Sequence, residues 1–527
     1  MPTKPVLIDG EWRDARDPVG AFRPVDPARG EELPDSYPVS SFRDVEGALE
    51  AARRATPPLI KASPDSLAAF LEFFASEIEK RADELVDLAH LETALPKDPR
   101  LRSVELPRTT SQLRQAAAAA RDRTWCRATI DTKTNIRSKY SPLGGPVAVF
   151  GPNNFPFAFN SAGGGDVAAA IASGNPVIAK GNPGHPGTTR IFAEIALSCL
   201  KKTGLPAATL QLIYHLRPED GFVLVSHPFL GCTSFTGSRP AGLALKAAAD
   251  KGGKPIYLEM SSTNPIFLLP GAVKERAEQI SGELAASCLM GSGQFCTKPG
   301  LFVVLRGEES DKFIVALRES FDRTPPGCLL SRNVLDRITA AVNSMCNAGA
   351  VLVTRKRSAD GPGFRYPNTL LRVSGDSFLR HPKDFEQEAF GTVSLIVVAA
   401  DFDQMLEMAA VLEGNLTAGI FSHTRGDDDQ NYARLEPLLR SKVGRLLNDK
   451  MPTGVAVTPA MVHGGPYPAT GHPGFTAVGY PPSMLRFAAL HGYDHVRHDR
   501  LPPELQDKNP TGCMWRLIDG EWSQRDI

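Results

Sequence analysis

The chain has no excess of charge of either sign. Its 59 Lys and Arg residues balance 59 Asp and Glu residues over 527 positions. Zero net charge removes the global attraction to nucleic acid or to anionic lipid that a basic chain would have. Long apolar runs are also missing. The uncharged stretch 140–165 holds four prolines and three asparagines, so it cannot form one membrane helix. The N-terminus has an acidic residue by position 9 and lacks the apolar core of an export signal. No pair among the eight cysteines has CxxC spacing, which leaves no zinc ribbon or thioredoxin-type motif. We expect free thiols in a reducing cytoplasm, and no bound metal. No GxGxxG opens a helix, so a standard dinucleotide fingerprint is absent as well.

What is present is a large soluble chain. Apolar residues make up 42% and charged residues 22%, near globular averages. The length corresponds to about three or four domain-sized units. Residues 1–60 read as short strand-like pieces with turns. Ser63 is a good N-cap and Pro64 suits the first helical position. Leu67, Phe70, Leu71, Phe74 and Ile78 follow at helical spacing. A second helix, rich in alanine, is expected at 111–123. From Pro146 short apolar strands alternate with helices. Strands are expected at 146–150, 176–179, 210–214, 233–235 and 255–258. A small-residue helix is expected at 161–173, with Gly163, Gly164 and Gly165 inside it allowing close packing. Another, at 188–203, ends at Gly204. Strands at 300–305, 394–398 and 418–421, with helices at 311–321 and 334–346, repeat the pattern. Strands separated by helices argue for parallel sheets of the doubly wound type. The pentapeptide IDGEW occurs at 8–12 and again at 518–522, which turn chemistry explains without invoking a repeat.

Chemistry can sit at four places. Cys296 lies in GSGQFCTKPG, a glycine-rich loop whose backbone can approach a ligand closely. Cys199 and Cys288 stand in apolar helical contexts and read as packing residues. Glu259 ends an apolar strand, where ligand crevices of open α/β sheets form, and is a cap or a base. Asn154 follows a buried strand and a Gly-Pro turn. It bonds its own turn or aims its amide at a developing oxyanion. FTGS at 235–238 joins a strand to a helix, and N–H groups at a helix start bind phosphate.

Taken in order, NNFP at 153–156, Lys180 after PVIA, FTGS at 235–238, LEMSSTNP at 258–265, GQFCTKPG at 293–300 and EAFG at 388–391 resemble the aldehyde dehydrogenase superfamily. The glycine-rich run from NNFP to HPGT and the late AMVHGGPYPAT resemble its α-ketoglutaric semialdehyde (2,5-dioxopentanoate) dehydrogenase branch. The resemblance implies two doubly wound α/β domains and a small β oligomerisation element. It places an NAD(P)-binding domain at 1–124 and 141–258 and a catalytic domain at 259–454. The β element and tail fall at 125–140 and 455–527. It implies that Cys296 adds to the aldehyde, that Asn154 and the Cys296 N–H hold the oxyanion, and that Glu259 activates the hydrolytic water. Lys180, Ser238, Glu388 and Phe390 would hold the cofactor. Relatives are homodimers or homotetramers.

Two departures matter. NAD-selective relatives carry a glutamate three residues after the lysine, and here that residue is Pro183. NADP is therefore expected to be preferred over NAD. LEMSSTNP also lacks a Gly-Gly pair that many relatives have after the glutamate. The expected reaction is oxidation of α-ketoglutaric semialdehyde to 2-oxoglutarate. Phe155, Phe157, Phe159 and Phe295 line an apolar tunnel or pack in the core. A tunnel would suit the alternative substrates, medium or long aliphatic aldehydes. Transfer of the acyl group to coenzyme A, and a non-catalytic binding role, are the readings of another class.

Overall fold

The computed structural model describes residues 2–355 and 359–527. Its first sheet has five parallel strands, β1 (Val147–Phe150), β2 (Val177–Lys180), β3 (Leu210–Ile213), β4 (Cys232–Thr236) and β5 (Ile256–Glu259). They lie in the order β5-β4-β1-β2-β3. The chain leaves β1 in one direction, then returns to its other side with β4. That reversal opens a crevice at the carboxyl ends of β1 and β4. The register puts Phe235, Phe150 and Lys180 in one row, with Glu259 beside Thr236 one step beyond.

The second sheet contains β6 (Ile266–Leu268), β7 (Leu301–Leu305), β8 (Thr369–Ser374), β9 (Val393–Ala399), β10 (Asn415–Phe421) and β11 (Val443–Asn448). Its parallel core runs β8-β9-β7-β6-β10-β11. The fold is thus two doubly wound α/β units joined by a few residues after Glu259. A third, five-stranded sheet combines Thr129–Asp131 and Ile136–Pro142 with Ala488–Asp494, Arg516–Ile518 and Glu521–Ser523. Of the chain after 455, only these late strands enter that sheet. The stretch 455–487 passes over the crevice first, where Met260 N–H donates to Ala469 O at 2.8 Å.

Helix α1 (Pro64–Lys80) starts as its sequence dictates: Ser63 Oγ accepts from Ser66 N–H at 3.1 Å. Its five-residue apolar stripe is buried, with Phe70 and Phe74 fully so. Each such side chain contributes about 2 kcal/mol. Both IDGEW segments form two-residue hairpins. Asp9 and Gly10, and Asp519 and Gly520, all have positive φ, which the type I′ turn requires.

Several expectations need correction. Residues 1–60 are not only strands and turns, because Phe42–Lys61 is a helix with Pro57 and Pro58 near its end. The alanine-rich helix α2 is longer than 111–123 and spans Leu106–Asp122. The small-residue helix is shorter, Gly165–Ala172. Asn160 bonds its own turn instead, accepting from Ala162 N–H and donating to Pro156 O. The three glycines therefore lie before or at the helix start. They still permit close packing: a Cβ on Gly164 would stand 2.7 Å from Asn160 N. Phe157 belongs to the core, fully buried against Phe192.

Candidate active site

The residues singled out in the sequence converge at the carboxyl ends of the first sheet. The turn after β1 is fixed from three sides. His185 Nε2 donates to Pro152 O at 2.9 Å, Asn182 Nδ2 donates to Gly151 O, and Arg100 Nη2 donates to Asn154 O at 2.9 Å. Glu105 completes the frame: its carboxylate accepts the N–H groups of Phe157 and Ala158 and pairs with Arg100. The Asn154 side chain is thereby turned onto the nucleophile loop, where Nδ2 donates to Gln294 O at 2.9 Å. An amide nitrogen carries two hydrogens, so one remains for another acceptor.

The loop bearing Cys296 is held by a second asparagine. Asn264 Nδ2 donates to Cys296 O at 2.9 Å and to Lys298 O at 3.0 Å. Its Oδ1 accepts from the hydroxyls of Ser262 and Thr417. Asn264 itself has φ near +49°, which asparagine tolerates better than most residues. Ser262 bonds Asn415 Oδ1 at 2.9 Å, so the segment after Glu259 is tied down by side chains. Asn264→Ala leaves the Cys296 and Lys298 carbonyls without this donor and forces alanine into a left-handed conformation. We expect a loss of about 2–4 kcal/mol, read from urea denaturation.

The sulfur faces two titratable groups. Cys296 Sγ is 3.2 Å from His463 Nε2, and the same nitrogen is 2.7 Å from Glu259 Oε1. His463 is buried, Glu259 nearly so, and Cys296 is half-buried. Burial by itself would depress the His463 imidazole. The Glu259 carboxylate and the Cys296 sulfur outweigh it and raise the imidazole to about 10. Nε2 of that imidazole stands directly against the sulfur placed as nucleophile. The three groups lie within 4.8 Å of one another and are the ligand types zinc takes. The hydrogen bonds already link the atoms that would have to turn to an ion. His463 was not singled out in the sequence. The AMVHGGPYPAT run marks its segment, but only the fold sets it beside a cysteine 167 positions away. Glycines next to it allow the approach: a Cβ on Gly465 would lie 2.0 Å from Asn415 O.

The remaining candidates flank this centre. Lys180 ends β2 with its ammonium 5.9 Å from the Phe150 ring and no hydrogen-bond acceptor or ion-pair partner among the described residues. Burial lowers it to about 8. Ser238 precedes helix α3 (Arg239–Lys251), and its side chain makes no cap bond, so the first N–H groups of the helix are open. Lys180 and Ser238 follow strands two places apart, roughly 10 Å at the sheet edge. Burial raises the Glu388 carboxyl, with Ser261, Lys298 and Arg239 opposing. Arg239, at the start of α3, pairs with Glu413, Nη1 to Oε2 at 2.7 Å. Phe390 is half-buried and packs on the main core.

The family model described as "Aldehyde dehydrogenase family" matches residues 12–436. Alpha-ketoglutaric semialdehyde dehydrogenase 2 of Azospirillum brasilense is 37% identical over 513 residues, covering 95% of this chain and 96% of the relative. The chain belongs to the aldehyde dehydrogenase family. Alpha-ketoglutaric semialdehyde dehydrogenase of Acinetobacter baylyi is 34% identical, covering 92% of each. Among solved structures, a 3,6-anhydro-L-galactose dehydrogenase in complex with NAP superposes with a TM-score of 0.79 at 21% identity, covering 93% of this chain and 99% of that one. An aldehyde dehydrogenase C mutant from Pseudomonas syringae, complexed with NAD+ and octanal, gives 0.79 at 21% identity, covering 93% and 96%. These two establish the fold of this aldehyde dehydrogenase. Among the described residues no helix is long and apolar enough to cross a membrane.

Proposed function

We propose that this aldehyde dehydrogenase oxidises α-ketoglutaric semialdehyde to 2-oxoglutarate, with NADP preferred over NAD. The observation that carries the chemistry is the contact of Cys296 Sγ with an imidazole that also holds Glu259. Two relatives above 30% identity, both named for this semialdehyde, support the substrate.

Cys296 adds to the aldehyde carbon as thiolate and forms a thiohemiacetal. The developing oxyanion sits between the Cys296 N–H and the Asn154 amide; one such donor is worth roughly 10²–10³ in rate. When bound, NAD(P) supplies the hydride acceptor. A thioester then stands on Cys296, and Glu259 takes a proton from the water that attacks it. His463 serves both halves, as the cation beside the thiolate and as the group that orients the carboxylate. A base in place for water favours acid over acyl-coenzyme A as product. We further propose a cytoplasmic homodimer or homotetramer, with the third sheet at the subunit contact.

The residues fit a dinucleotide phosphate. Lys180 is a cation without an anion, Pro183 places no carboxylate near it, and the start of α3 offers open N–H groups to the pyrophosphate. Glu388 would hold the nicotinamide ribose and Phe390 the neighbouring face. Initial rates with α-ketoglutaric semialdehyde, succinic semialdehyde, glutaraldehyde and hexanal, each with NADP and with NAD, test both proposals. We expect α-ketoglutaric semialdehyde to give the highest kcat/KM, and NADP to exceed NAD. The pH dependence is specific. Lys180 is charged below about 8 and neutral above it, so KM for NADP rises through that range while KM for NAD changes less. Faster turnover of hexanal, or an NADP/NAD ratio below one, overturns the corresponding half.

A further inference from the structure

Helix α2 brings a cation, Arg108, near the crevice with no direct partner among the described residues. Arg108 is half-buried on its first turns, and its Nε and Nη2 are buried without an acceptor. Among the described residues it makes no ion pair. The other arginines near the crevice are all engaged. Arg100 pairs with Glu105, Arg486 with Asp166 at 2.9 Å, and Arg445 donates to Pro452 O at 2.7 Å. Glu105, the carboxylate closest in sequence, is engaged by Arg100 and two backbone N–H groups and makes no ion pair with Arg108. A desolvated guanidinium without a partner is costly, which makes the vacancy informative.

The position of Arg108 says what completes it. Its guanidinium carbon lies 5.1 Å from the Phe159 ring centre and 5.7 Å from that of Phe155. The Phe159 ring is 6.3 Å from the His463 ring. One phenyl group therefore neighbours both the guanidinium and the imidazole that touches Cys296. Burial opposes the charge of Arg108, while Glu105, then Cys296 and more weakly Glu259, favour it. One turn further along α2, Gln112 lines the same crevice with Phe159, Glu259 and His463, and its Oε1 has no donor. Two polar side chains at i and i+4 share a helix face. Among the described residues neither side chain spends these atoms on a protein partner, and Arg108 Nη1 is not among the enclosed atoms.

We propose that Arg108 receives the distal carboxylate of the substrate, so that the site selects aldehydes bearing a carboxylate a few carbons from the carbonyl. A planar guanidinium meets a carboxylate with two parallel hydrogen bonds. In α-ketoglutaric semialdehyde four C–C bonds separate the two carbons, roughly 5 Å. The aldehyde reaches the sulfur while the acid end passes the Phe159 ring. The inference rests on the carboxylated-aldehyde reading above.

The test compares wild type, Arg108→Leu and Arg108→Lys on α-ketoglutaric semialdehyde, succinic semialdehyde and hexanal. It adds the Ki of 2-oxoglutarate as a competitive inhibitor against hexanal. We expect Arg108→Leu to lower the semialdehyde-to-hexanal ratio of kcat/KM about 30- to 100-fold, chiefly through KM, with a matching rise in Ki. Arg108→Lys should recover part of both. A parallel loss on all three aldehydes, with Ki unchanged, makes the residue structural and overturns the proposal. So does an unchanged ratio. If succinic rather than α-ketoglutaric semialdehyde proves the better substrate and its ratio collapses in Arg108→Leu, the carboxylate anchor stands and the named substrate falls. A wild type that turns over hexanal alone overturns both.

Discussion

Cys296→Ala is expected to abolish aldehyde oxidation, lowering kcat by about 10⁴-fold or more. None of the seven other cysteines can substitute. Burial raises Cys126, Cys199 and Cys288 to about 12 and Cys232 higher still. Cys328 is half-buried with its sulfur on Pro27 O, and Cys346 and Cys513 are exposed elsewhere on the surface. The substitution should leave the fold intact. The side chain of Cys296 contacts His463, but its carbonyl, which Asn264 holds, is unaffected. The measurement is NADPH formation at saturating substrate, paired with intact mass after brief exposure to aldehyde and cofactor. Wild type should carry an acyl adduct on Cys296 and the variant none. Appreciable turnover by the alanine variant, at unchanged Tm, would remove the covalent route altogether.

The fold class was legible because its signals are local. Short apolar strands between helices recur from β1 onward, and Ser63-Pro64 with its apolar stripe marks α1 without ambiguity. Boundaries failed where side chains compete with the helix for backbone groups, as Asn160 does before Gly165–Ala172. They failed too where prolines sit inside a helix, as in Phe42–Lys61. The site divides the same way. Glu259 at a strand end and Cys296 in a glycine-rich loop can be read locally. His463, Asn264 and Arg108 cannot, because their meaning lies in partners set by the fold. A histidine among glycines and prolines looks like any loop residue until it is seen bridging a sulfur and a carboxylate. An arginine on a helix looks solvated until its unsatisfied nitrogens are found against Phe155 and Phe159.

His463→Phe should cost about 10²- to 10³-fold in kcat/KM at pH 7, with much of the loss recovered at higher pH. Phenylalanine keeps a ring of similar size beside Phe159, so packing changes little. What it removes is the cation shared by Cys296 and Glu259. In the native enzyme burial opposes that cation, yet the carboxylate and sulfur raise the imidazole to about 10. The sign follows from linkage. A histidine raised above its unfolded value contributes fully below about pH 6.5 and loses that contribution as pH climbs through about 10. Wild type should therefore alkylate with iodoacetamide at a rate that stays high through neutral pH. In His463→Phe the sulfur loses its cation, and alkylation at Cys296 should become steeply dependent on hydroxide. His463→Asn separates charge from hydrogen bonding, since an amide can still donate to Glu259 but cannot be protonated; it should follow the phenylalanine variant in the pH profile. An activity deficit of the same size at every pH, with native-like alkylation, would mean that His463 only packs the crevice wall and that the thiolate is generated by other means.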